Sequence, residues 1–260
     1  MMRKSEEERY VLELANPILS DIYGDFDVDE NQTDSPDAAI FLSGGVRKKI
    51  GIEITSVDKQ EIQQYLNDEK ITKPIITQQL DALQLDGSHS SQPTKKISIP
   101  FPKEYIFDGV IKKKDKYSRY IELGDYDEMI VVAFSSQLQT DHEHFKDYHK
   151  LWTGHLLGKN SFPFDKVIFV SLNTRDAVVV YDKDLPRINA PQADSDKELG
   201  ITTMSGPILP FGKTVNLNTI FDNEPLIPYQ SKNELIRVRK AKKKEKRKAQ
   251  STAKKVNAKK

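Results

Sequence analysis

The chain has 260 residues, no cysteine, 37% hydrophobic and 30% charged residues, and a formal net charge of +1. Cysteine's absence excludes disulfides, thiolate metal sites and a thiol nucleophile, and no apolar run reaches the ~18 residues of a membrane span. The near-neutral balance hides an asymmetry: residues 237–260 hold 13 Lys/Arg against one acid, Glu245, so a +12 arm follows a body of −11. Blocks of like charge of this kind commonly bind nucleic acid through its phosphates.

Residues 5–20 have the period of an amphipathic helix, with Val11, Leu14, Ala15 and Ile18 on one face, Ser5 as N-cap and Glu6, Glu7 and Glu8 in the first turn. Pro17 marks an end or a kink. The following acidic stretch, 21–37, reads as a solvated loop. Its Asp25, Asp27 and Asp29 start like a calcium loop, but Glu30 and Pro36 stand where the EF-hand needs Gly and Glu.

Residues 35–56 read as two strands joined by a turn at Ser43-Gly44-Gly45. Folding about Gly45 pairs residues whose numbers sum to 90 and sets Asp37 opposite Glu53. Ala38, Ile40, Leu42, Ile50, Ile52 and Ile54 then share an apolar face, while Asp37, Lys49, Glu53 and Thr55 share the other. Two opposed carboxylates repel, and a bound cation is the common reason to tolerate them.

Further on, Asp58 is a candidate N-cap for a helix to Asn67, and Thr72-Pro74 starts another. Residues 86–94 are a loop and 95–99 a short strand. Residues 102–123 keep helical spacing and carry Lys112, Lys113 and Lys114. The run 129–135 has the composition of a strand buried on both faces. Residues 141–157 read as a helix with Phe145, Tyr148, Trp152 and Leu156 on its apolar face; His142, His144, His149 and His155 fall on it at spacings of 2, 5 and 6, which suit no single α-helical face, and read as surface residues. A second hairpin spans 166–172 and 177–181. Beyond 184 the pattern fades.

The expected division is an α/β domain over 1–184, a proline-containing extended segment over 185–230 and a basic tail, a frayed helix or disordered, over 231–260. The order of elements implies a mixed central sheet flanked by helices.

Pro36-Asp37, fifteen intervening residues and then Glu53-Ile54-Thr55, preceded by an acidic helix, resembles the PD-(D/E)xK nuclease superfamily. The likeness covers roughly residues 5–182 and implies a restriction-endonuclease-like core and hydrolysis of phosphodiester bonds in DNA or RNA. It implies Mg2+ or Mn2+ held by Asp37, Glu53 and the backbone carbonyl of Ile54, with Glu7, or failing that Glu8, as the helix acid. Thr55 stands where the superfamily has its lysine: a hydroxyl can position water but brings no positive charge, a deficit of ~3–4 kcal/mol unless another cation supplies it. Lys49 points toward the turn, whereas a lysine of the 112–114 cluster could reach in. The alternative is a nucleic-acid-binding module with this fold and no catalysis. Either reading expects a cytoplasmic protein with nucleic acid as partner through the active face and the basic tail, and no membrane; oligomeric state is left open.

Overall fold

The computed structural model describes residues 4–32, 35–43, 48–67, 77, 95–187, 189–191 and 199–205. The turn at 43–45 (in part), the helix expected from Thr72, the loop 86–94 and the basic tail lie outside them. They form two compact units, one of residues 1–58 and 100–201, the other of 59–99 and 202–260.

The first unit opens with α1 (Lys4–Tyr23). Ser5 lies inside this helix rather than capping it, and Pro17 does not end it. The tolerance has a simple cause. Proline removes the bond that its N–H would give to the carbonyl of Glu13, and Glu13 and Pro17 are both exposed, on the solvent side of the helix where the lost bond costs least. Val11, Ala15 and Leu19 are fully buried, with Leu14 and Ile18 beside them half-buried.

The stretch 21–37 is not wholly loop, since Phe26–Val28 forms the edge strand β1. Next come β2 (Ala38–Leu42) and β3 (Lys49–Ser56). Their register pairs Ala38 with Ile52, Ala39 with Gly51, Ile40 with Ile50 and Phe41 with Lys49, all summing to 90 as the alternation requires.

Residues 102–123 do not form one continuous α-helix. They divide into α3 (Tyr105–Val110), a 3-10 segment (Ile111–Lys116) and α4 (Tyr117–Leu123). The tighter winding falls on a run of five charged residues, none of them buried, where little packing holds α-helical geometry. Strand β5 (Glu128–Ser135) is buried from Met129 onward. A π-helical turn (Phe145–His149) leads into α5 (Lys150–Lys159), and β6 (Lys166–Ser171) and β7 (Asp176–Asp182) finish the sheet.

The sheet order is β1-β2-β3-β5-β6-β7. β3, β5 and β6 run parallel, while β1, β2 and β7 are antiparallel to their neighbours. The class is therefore α/β with a mixed six-stranded sheet flanked by helices. Val11, Ala15 and Leu19 pack against Ile40, Ile50, Ile52, Ile54, Ile130, Val132, Ile168 and Val170 on one face. On the other face Phe145 meets Phe169 at 5.2 Å between ring centroids. At Gly109 a Cβ would come within 2.9 Å of the Val57 backbone, so α3 approaches the end of β3 as closely as only glycine permits.

In the second unit, α2 (Gln60–Asn67) starts near the expected place, and β4 (Lys95–Phe101) and β8 (Leu199–Ser205), the larger part of each in this unit, form a two-stranded sheet. The strand β8 thus falls in the stretch whose pattern fades in the sequence. Among the described residues no helix is long and apolar enough to cross a membrane.

Candidate active site

Asp37 immediately precedes β2, and its carboxylate folds over the edge of β3, where the Ile54 N–H donates to Oδ2 at 2.7 Å. On a strand, a residue's N–H and C=O point to the same edge. The Ile54 carbonyl therefore also faces the Asp37 side, beyond the last β2–β3 pair, where β2 makes no further ladder bonds.

Glu53 lies in the middle of the site and is 0% exposed. A lone buried carboxylate would be very costly, and this one is paired three ways. Lys113 Nζ donates to Oε1 at 2.6 Å, Lys116 Nζ to the same oxygen at 2.9 Å, and the Tyr120 hydroxyl to Oε2 at 2.5 Å. The 3-10 segment explains why two lysines converge, because side chains three apart eclipse in that helix. Burial alone would raise the Glu53 carboxyl; hydrogen bonds from Lys113, Lys116 and Tyr120 outweigh it and hold the group below its ordinary value. Burial would likewise lower the Lys116 ammonium, but the bond and charge of Glu53 raise it.

Asp37 is the opposite case. Burial pushes its carboxyl up to about 6; the Ile54 amide works against this, Glu53 and Glu8 add to it, and Lys113 lowers it. It has no ion pair among the described residues, so its negative charge is only partly compensated. It lines a cavity of about 890 Å³ between α1 and the β1–β2 edge, together with Glu8, Arg9, Glu13, Asp29, Glu30 and Ile54.

The helix acids divide. Glu8 lines this cavity and its charge acts on Asp37. Glu7 is raised by burial first, then by Glu8 and Asp58, and does not line the cavity. Thr55 brings its hydroxyl within 3.5 Å of the Ser56 carbonyl. Lys49 is drawn away, to Asp29 at 3.2 Å and over the rings of Phe41 and Tyr126.

Among the described residues no three His, Asp or Glu side chains converge as a metal cluster. Mg2+ does not require one; it is held by one or two carboxylates plus waters and phosphate oxygens. Asp37, with its undercompensated charge, and the Ile54 carbonyl on the same edge are donors of the kind such an ion takes, and one lone-pair position of Glu53 is left unfilled. Glu53 has three of its four positions taken, so Asp37 would be the principal ligand of such an ion.

The lysines on Glu53 had a signal in the sequence. Ile106, Val110, Lys113, Tyr117 and Tyr120 continue one helical stripe, and Lys113 interrupts its apolar part. A second carboxylate, Asp58, is 8% exposed and accepts from Ser135 Oγ at 2.5 Å, Tyr105 at 2.8 Å and Ser136 N at 2.7 Å, tying the ends of β3 and β5 together.

No family model, no curated protein and no solved structure matches the chain.

Proposed function

We propose that the protein is a metal-dependent phosphodiesterase acting on DNA or RNA, a divergent PD-(D/E)xK nuclease with a restriction-endonuclease-like core. The observation that carries the reading is the arrival of Lys113 and Lys116 at Glu53, beside Asp37, where Thr55 leaves the motif without its positive charge.

In this reading Asp37 and the Ile54 carbonyl hold Mg2+ or Mn2+, with Glu53 as the weaker ligand. The bound ion supplies polarisation of the phosphate and a more acidic water. The rest falls to the chain's own residues. Lys113, 18% exposed at its side chain, brings a positive charge to the developing charge on phosphorus oxygens. Lys116, half-exposed, holds Glu53 ionised. Tyr120 fixes the carboxylate's orientation, Thr55 offers a hydroxyl to water, and Glu8, ahead of Glu7, is the acid on α1. Exposed Lys112, Lys114 and Arg119 flank the lysine pair and favour approach of a polyanion from that side.

The occupation of three of the four acceptor positions of Glu53 favours a second reading, in which the same face binds nucleic acid without cleaving it. Incubating the full chain with labelled single- and double-stranded DNA and RNA in Mg2+, Mn2+ or EDTA separates the two. The first reading expects product that EDTA abolishes; salt-sensitive binding with no product on any substrate would overturn it.

A further inference from the structure

His149 is 1% exposed, and neither of its ring nitrogens has a hydrogen-bond partner; the same is true of His144 Nε2 and of the Thr153 hydroxyl. Four orphaned polar atoms on His144, His149 and Thr153 are costly, since an unmet buried donor or acceptor loses ~1–3 kcal/mol. His149 and His155 are buried rather than at the surface where their spacing suggests, His144 is half-buried, and His142 is exposed as expected.

The local winding brings them together. Lys150 N–H donates to the Phe145 carbonyl five residues earlier, the signature of a π turn. Such a turn sets residues five apart over one another, so His144 and His149 share a face that an α-helix would deny them. Their ring centroids lie 5.3 Å apart with planes at 80°. Two imidazoles sharing one ion, with metal–nitrogen bonds of about 2 Å at a tetrahedral angle, have centroids about 5 Å apart.

We propose that His144 and His149 form a binding site for an imidazole-preferring divalent ion such as Zn2+, separate from the Asp37–Glu53 site. Phe101 and Tyr148 wall the His149 ring at centroid distances of 6.3 and 5.1 Å, which restricts its rotation. Burial lowers the His149 ring to about 4 and, with the neighbouring His142, also lowers His144.

Isothermal titration of the full chain with ZnCl2, in an Asp37→Asn background that disables the other site, tests this. One ion per chain binds, and His144→Gln or His149→Phe weakens it at least tenfold, while His142→Ala and His155→Ala leave it unchanged. Because His149→Phe perturbs the core, His144→Gln, at a half-exposed position, is the deciding variant. Absence of a saturable 1:1 site, or binding within threefold of the parent in His144→Gln, would overturn the proposal.

Discussion

Lys113 Nζ lies 2.6 Å from Glu53 Oε1 across a sequence separation of 60 residues. The contact joins a fully buried strand carboxylate to the 3-10 segment that follows α3. It makes the lysine pair structural and, in the proposed mechanism, functional at once.

The structural part is separable. Replacing Lys113 and Lys116 together by Met leaves Glu53 buried with Tyr120 as its one remaining donor. The double variant loses about 3–5 kcal/mol of unfolding free energy at pH 7, measured by urea denaturation. Adding Glu53→Gln to it recovers part of the loss. Because the native Glu53 carboxyl sits below its ordinary value, the stabilisation from the pair is present above that value and fades as pH falls through the depressed one.

The functional part rests on position rather than on identity at residue 55. Lys113→Met lowers the single-turnover cleavage rate by about 100- to 1,000-fold, the cost of one well-placed charge donor. Installing Thr55→Lys in that background restores at least tenfold, since position 55 lies on the Glu53 face. Failure of Thr55→Lys to raise the rate of a folded Lys113→Met protein would disconnect the lysine from catalysis.

Asp37 has the reverse linkage. Its native carboxyl titrates near 6, above the unfolded value, so ionising it destabilises the metal-free protein as pH rises through 6. Asp37→Asn keeps an oxygen for the Ile54 amide and removes the charge. It raises metal-free stability at pH 8 by on the order of 1 kcal/mol, discounted for the side chain's partial exposure, and by nothing at pH 4. Metal-dependent cleavage by the wild type declines as pH falls below about 6, when the proton competes with the ion.

Gly109 tests the approach of α3 to β3. In Gly109→Ala the new methyl meets Val57 backbone and side chain at under 3 Å, and overpacking of this kind costs about 1–3 kcal/mol. Thermal unfolding checks it; an unchanged midpoint would mean that the segment shifts freely.

Much of this was legible in the sequence where a pattern repeated. The hairpin register follows from alternation over Ala38–Leu42 and Lys49–Ser56, because a one-residue slip would turn Lys49 and Glu53 into the apolar layer under α1 and turn Ile50 and Ile52 out of it. What escaped depends on local winding that periodicity presumes constant. The π turn adds a residue, so burial after it falls on His149, Thr153 and Leu157 rather than on Trp152 and Leu156. The 3-10 segment likewise aligned Lys113 with Lys116, a pairing that α-helical spacing of the 112–114 cluster does not single out. The surroundings of Asp37 needed the fold itself: Glu8 reaches its cavity only because α1 crosses that face of the sheet.

The most direct measurement is the single-turnover cleavage rate of the wild type in Mn2+ beside Asp37→Asn and Glu53→Gln, on whichever labelled strand the wild type accepts, with folding of each variant verified by circular dichroism. A metal-dependent nuclease centred on these two acids gives product from the wild type and loses at least 1,000-fold in both folded variants. Cleavage that survives Asp37→Asn, or a wild type that yields no product with either metal on any strand, would contradict it.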